Sequence, residues 1–299
     1  MADPEAAVAL LAEAREITDR RLAGIADRLQ RETPGPLGDA LAYALGTTGK
    51  RVRPALVLAS YRALGGTGDP GLLMTAVEII HTYSLVHDDL PCMDDDDQRR
   101  GRPTTHVAFD VPVATRVGYL LVAVAVEVLC EAAATLRLAP GTHQAIARRL
   151  LLASGIRGMV GGQWLDLEAE GRSLVAGDLT SIHGRKTGAL IEAACVVGGL
   201  AAGAGESSVA GLGEFGRDIG LAFQVADDVL DATASSLQLG KTAGRDASLR
   251  KSTYVSFLGV SGARAEGARL AASAVSRLGP AVATPALTGL AHYIVRRQS

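Results

Sequence analysis

Cysteine is scarce in this 299-residue chain: Cys92, Cys130 and Cys195 are odd in number and show neither disulfide-type nor metal-type spacing. That excludes a disulfide scaffold and points to a reducing, cytoplasmic compartment. Net charge is also nearly absent, at -2, which argues against bulk binding of nucleic acid and leaves the basic residues to act locally. The short apolar run near the N-terminus is framed by acids and lacks a basic flank, so no signal peptide is expected. The most apolar windows, 117–130 and 189–204, are interrupted by Glu127 and Glu192. Neither reaches about 18 uncharged apolar residues, so both are expected to be buried helices and not membrane spans. Strand-like alternation between hairpin turns is missing, as is GxGxxG in a strand-turn-helix setting. No Ser-His-Asp, Cys-His or zinc-type spacing stands out. With no linker, low-complexity tract or clear repeat, the expectation is all-α, as one domain over residues 1–299.

What is present is apolar residue in quantity, 48 %, arranged with helical period. Leu10, Ala14, Ile17, Leu22, Ile25 and Leu29 mark the first amphipathic helix, which Pro34 and Pro36 end. Further helices are expected over 37–45, 55–64, 74–90, 112–136, 142–160, from about Asp178 through Lys186 and Thr187, and over 214–231. A last one carries the stripe Leu287, Leu290 and Ile294. Lys50, Arg51 and Arg53 crowd the N-terminal edge of the third helix, where the dipole and open N–H groups favour an anion.

The densest signal is SLVHDDLPCMDDDDQRRGRPTTH, residues 84–106, in which Asp88, Asp89, Asp94, Asp95, Asp96 and Asp97 lead into Arg99 and Arg100. Two like charges about 4 Å apart at an effective dielectric near 20 repel by roughly 4 kcal/mol, so such a cluster needs solvent or cations. Asp88 and Asp89 end an apolar helix, at the pole where carboxylates are least favoured. An EF-hand is excluded, because counting from Asp94 the required glycine is Arg99. A second set, Asp227, Asp228 and Asp231, ends another apolar helix and presents at least two carboxylates on one face. Oxygen-only ligands select hard cations such as Mg²⁺, which keeps waters and binds substrate phosphate beside one or two carboxylates. With Lys50, Arg53, Arg99, Arg100, Lys186, Lys241 and Lys251 dispersed around them, the implied substrate is a diphosphate.

These residues resemble the trans-isoprenyl diphosphate synthases, or polyprenyl synthases. DDLPCMDDDDQRRGRPTTH is similar to the family's first aspartate-rich motif in its longer spacing, and DDVLD at 227–231 to its second. GKRVRP (49–54), GMVGGQWLDL (158–167), KTGAL (186–190), GLAFQ (220–224) and LGKTAGRD (239–246) fall in the family's order, so the likeness spans nearly the whole chain. The resemblance implies an all-helical homodimer with a central cavity and the two aspartate motifs facing across its mouth. It implies that Asp88, Asp89, Asp94, Asp227, Asp228 and Asp231 hold Mg²⁺ on an allylic diphosphate. Arg99, Lys186, Thr187, Gln224, Lys241 and Lys251 would surround that diphosphate. Lys50, Arg53, His81 and Arg100 would hold the diphosphate of isopentenyl diphosphate. Asp88, Asp89, Asp94, Arg99, Lys186, Asp227 and Lys241 are the residues expected to carry catalysis.

Product length is expected from Tyr83, five residues before the first aspartate, with Ser84 beside it; a large ring there resembles the bacterial farnesyl diphosphate synthases. A geranylgeranyl diphosphate synthase and a non-catalytic prenyltransferase-like subunit remain alternatives. A terpene cyclase is disfavoured by the all-aspartate second motif. Two departures from the family pattern stand out: Tyr119, where Gly-Asp-x-Leu is usual, and Ser252, where proline is common.

Overall fold

The computed structural model describes residues 4–172, 174–233 and 252–296. The chain opens with α1 (Pro4–Glu32), α2 (Pro36–Leu45), α3 (Val52–Ala63) and α4 (Gly71–Asp88). A two-stranded hairpin follows, β1 (Gln98–Arg99) and β2 (Arg102–Pro103), then α5 (Thr105–Ala108), α6 (Val111–Thr135), α7 (Pro140–Ser154) and α8 (Met159–Glu168). The remainder is α9 (Ala176–His183), a π-helical turn (Gly184–Gly188), α10 (Ala189–Ala201), α11 (Glu206–Thr233), α12 (Tyr254–Arg277) and α13 (Pro285–Arg296). Prolines sit at the starts of α2, α6 and α7, where the missing N–H is no loss. Asp110 caps α6 by accepting from the Val113 N–H at 2.6 Å.

Burial follows composition. Helix α4 lies inside the bundle: Leu73, Met74, Ala76, Val77, Ile79 and Ile80 are fully enclosed. It packs against α1, α2, α3, α6 and α10. Helix α10, with Ile191 and Ala193 through Val197 at zero exposure, joins α3, α7 and α11. One core cluster runs from Ala7 on α1 to Ile294 on α13. A smaller one, Leu179, Ala222, Val225, Val229, Tyr254, Ala263 and Leu270, lies beside the end of α11. Helix α6 is long and apolar enough to cross a membrane by length and composition, but only half of that window is buried inside the protein.

The fold corrects four expectations. The helix expected over 142–160 is two, because α7 stops at Ser154 and α8 begins at Met159, with the Gly155 N–H closing the turn on the Leu151 carbonyl at 3.0 Å. The helix from Asp178 does not run evenly through Lys186 but widens into the π turn. Helix α11 starts eight residues earlier than Glu214. Strand pairing, expected nowhere, occurs at β1–β2 with Arg99 opposite Arg102. Its two-residue loop, Arg100 (φ 54) and Gly101 (φ 74), has the left-handed pair that a tight hairpin needs.

Candidate active site

The first aspartate motif is folded back on itself. The Asp94 N–H donates to the Asp88 carbonyl (2.8 Å) and the Asp96 N–H to the Asp89 carbonyl (3.2 Å), so the loop returns its acids to the end of α4. Asp88 and Asp89 are both buried. Burial raises the Asp88 carboxyl to about 6, against the pull of Lys186; Gln163 of α8 donates to its Oδ1. Burial also raises Asp89, opposed by Arg99, whose Nε donates to Oδ1 at 2.7 Å. Arg99 further reaches Asp96 at 3.6 Å, which gives that acid a partner.

Lys186 projects from the π turn and donates to Asp166 Oδ2 at 2.7 Å. Burial alone would lower its ammonium, yet Asp88, Asp166 and Asp94 together hold it above the ordinary lysine range. A π turn adds a residue and re-aims the side chains around it, and such turns gather at functional sites. Here it places Lys186 toward the first motif and Thr187 toward the second. Thr187 Oγ1 donates to Gln224 Oε1 (3.1 Å), and Gln224 Nε2 donates to Asp228 Oδ1 (2.9 Å). The approach of α11 to the π turn depends on Gly220, since a Cβ there would lie 2.5 Å from the Gly188 Cα.

The three acids of the second motif differ. Asp228 is buried with its other oxygen accepting from the Tyr254 N–H at 2.7 Å, so both of its oxygens have protein donors. Asp231 is buried, and its Oδ1 has no hydrogen-bond partner among the described residues. Asp227 is half-buried. Among the described residues no three His, Cys, Asp or Glu side chains converge as a closed ligand set; the carboxylates stand as two groups.

On the other flank, Arg53 lies over the Phe223 ring of α11 at 5.9 Å. His81 is pushed well below the ordinary imidazole value by burial and then by Arg53, Arg100, Arg99 and Arg51, so these cations crowd around one neutral ring. Arg100 donates to the Thr48 carbonyl at 2.5 Å, and Lys50 is exposed on the same loop. Arg51, grouped with them on sequence, belongs elsewhere. It is buried and takes a left-handed backbone (φ 52) as the N-cap of α3. It donates to Asp19 and Glu78 at 2.7 Å each and to the Thr47 carbonyl at 2.6 Å. Tyr83 is buried on α4, and Ser84 Oγ donates to the His81 carbonyl at 2.7 Å. Lys241 and Lys251 lie outside the described residues. Sequence reasoning assigned no role to Gln163, Asp166 or Tyr254. The first two lie in GMVGGQWLDL, a stretch that carried the family resemblance as a whole without a role for either residue.

The polyprenyl synthetase family model matches residues 35–277. The chain is 40 % identical over 255 residues to the farnesyl diphosphate synthase of Geobacillus stearothermophilus, covering 85 % of each. It is 41 % identical over 271 residues to the chloroplastic geranylgeranyl pyrophosphate synthase of Catharanthus roseus, covering 89 % of this chain and 75 % of that one. Among solved structures, an FPP/GFPP synthase from Zymomonas mobilis superposes with a TM-score of 0.82 at 34 % identity, over 96 % of this chain and 98 % of that one. A geranyltransferase from Helicobacter pylori, complexed with magnesium and isoprenyl diphosphate, superposes with a TM-score of 0.81 at 32 % identity, over 95 % and 96 %. Two buried aspartate pairs at helix ends, a lysine-bearing π turn between them and matches over most of the chain lead to one assignment: this protein belongs to the polyprenyl synthetase family.

Proposed function

We propose that this protein is a prenyltransferase that joins isopentenyl diphosphate head to tail to an allylic diphosphate, dimethylallyl or geranyl, and releases farnesyl diphosphate. The observation that carries this is the pair of buried carboxylate groups, Asp88 with Asp89 and Asp228 with Asp231, linked through Lys186 and Thr187. Asp88, Asp89, Asp94, Asp227 and Asp231 are the residues that would hold Mg²⁺, with Asp228 orienting the second motif and contributing where its clamp loosens. The donor set fits a hard cation, being all oxygen. The enclosed Asp231 Oδ1 without a hydrogen-bond partner among the described residues fits too, because a buried unpaired acceptor is costly. When bound, the metal neutralises diphosphate oxygens and so favours departure of the allylic diphosphate. Lys186, Arg99 and Thr187 hold the same anion from the protein side, with Gln224 aligned by its bonds to Thr187 and Asp228. Lys241 is proposed here on the sequence motif LGKTAGRD alone, and Lys251 on the family resemblance alone.

Lys50, Arg53 and Arg100 hold the second diphosphate, and His81, kept neutral by burial and then by its cationic neighbours, donates or accepts a hydrogen bond without adding charge. The allylic C–O bond breaks, the double bond of isopentenyl diphosphate attacks the resulting cation, and the departing diphosphate takes the proton that is lost. No side-chain nucleophile takes part, and apolar walls keep water from the cation. Tyr83 is proposed as the floor that stops the chain at farnesyl. One domain carries all of this, supported by the core cluster spanning Ala7 to Ile294. Exposed Leu120, Val126, Leu151 and Leu152 on α6 and α7 support a homodimer through that face, and the three free thiols support a reducing, cytoplasmic setting.

The test is incubation with Mg²⁺, isopentenyl diphosphate and each allylic diphosphate in turn, with products sized by chromatography. Farnesyl diphosphate is expected. Geranylgeranyl diphosphate as main product overturns the length assignment, and no condensation with any allylic substrate overturns the enzyme in favour of a non-catalytic subunit. Light scattering at micromolar concentration tests the dimer.

A further inference from the structure

Three rings contact one another in sequence between α4 and α6: Tyr83, His87 and Tyr119. Tyr83 and His87, one turn apart on α4, meet edge to face with centroids 5.3 Å apart at 78°. His87 meets Tyr119 of α6 the same way, at 5.4 Å and 87°. Both are the geometry that aromatic quadrupoles favour. The middle ring is wedged in place. His87 Nε2 lies 3.2 Å from the Thr115 carbonyl, and its ring fills the notch left by Gly118, where a Cβ would collide with it. Tyr83 is 8 % exposed and Tyr119 is 67 % exposed. The ladder therefore connects the position that limits product length to a surface residue. Tyr119 is also the ring that stands where the family pattern has an acid.

We propose that His87 and Tyr119 are positioning residues for Tyr83, holding its ring in the orientation that closes the product cavity, so that part of the chain-length control lies outside the cavity. This rests on the assignment of Tyr83 as the cavity floor. A growing prenyl tail presses on the Tyr83 ring, and the ring holds only if a neighbour blocks its alternative rotamers. His87 is that neighbour, pinned between Gly118 and Tyr83. Tyr119 packs on the far edge of His87 and limits its swing away from Tyr83. Neither residue is among those assigned to a diphosphate or to metal.

The experiment compares wild type with Tyr83→Ala, His87→Ala, Tyr119→Ala and Tyr119→Phe, using Mg²⁺, isopentenyl diphosphate and geranyl diphosphate, with products sized and the first condensation followed kinetically. His87→Ala and Tyr119→Ala are expected to raise the share of products longer than farnesyl by about two- to tenfold, the range that loss of one aromatic pair predicts. KM for isopentenyl diphosphate and kcat of the first condensation are expected to stay within about threefold of wild type. Tyr119→Phe retains the ring and is expected to keep wild-type length. Unchanged length in either alanine variant, while Tyr83→Ala lengthens the product, overturns the proposal and leaves the floor assignment standing. Unchanged length in Tyr83→Ala itself overturns both. Should His87→Ala fail to fold, the exposed Tyr119→Ala decides alone by the same criterion.

Discussion

Arg51 and Arg53, two positions apart, end against different helices. The left-handed backbone at Arg51 (φ 52) turns its guanidinium inward to Asp19 and Glu78, whereas Arg53 reaches the Phe223 ring. Removing one partner of a buried ion pair leaves the other charge unpaired. Arg51→Met is therefore expected to cost about 3–5 kcal/mol in urea unfolding, and the double variant Arg51→Met/Glu78→Leu is expected to recover most of that loss. His81 offers a pH test. In the unfolded chain it protonates near 6.5, while the folded site holds it neutral far below that value. Its contribution to stability is thus complete above about pH 6.5 and is lost as pH falls, by up to about 1.4 kcal/mol per unit. The difference in unfolding free energy between wild type and His81→Gln, measured from pH 8 to pH 5, is expected to shrink in that direction. A difference that does not vary with pH would refute the assignment of a neutral His81.

At the level of elements, the site depends on how α8, the π turn and α11 meet. Gly220 against Gly188 sets that contact, and the Thr187–Gln224–Asp228 chain crosses it. Gly220→Ala is expected to push α11 outward, lower stability by about 1–3 kcal/mol and reduce kcat at least about tenfold through misplacement of bound substrate. Thermal unfolding and steady-state kinetics on the same preparation check both. Most helices were legible from periodicity because their apolar stripes repeat over several turns, as in α1 and α13. The break at Gly155 was not, because the apolar pattern of LLASGIRGMV runs on while the backbone turns. The β1–β2 hairpin was missed for a different reason: two residues per strand carry no alternation to detect. Nor does a π turn leave a periodic trace, since it inserts a single residue into an otherwise helical run.

At the level of the whole molecule, catalysis is expected to require divalent metal, because two buried aspartate groups and a substrate diphosphate cannot meet without cations between them. Chelation is expected to abolish condensation and added Mg²⁺ to restore it, while the circular dichroism of the helices stays unchanged, since apolar packing from Ala7 to Ile294 holds the helices together. Loss of helix on chelation would contradict that separation of fold from site.

Sequence alone determined the all-helical class, the two aspartate motifs and the family, because helical period and motif spacing are local properties that a linear chain displays directly. Tertiary structure alone decided which neighbours share a site. Arg51 goes to the interior between Asp19 and Glu78, and the half-buried Arg53 to the Phe223 ring of α11. Asp228 is clamped by Gln224 and Tyr254 while Asp231 keeps a buried oxygen without a hydrogen-bond partner among the described residues. His87 links Tyr83 to Tyr119 across α4 and α6. The physical reason is that charge, burial and ring packing depend on distance through space, and residues such as Asp88 and Gln163, or Thr187 and Gln224, acquire that proximity only when separate helices pack.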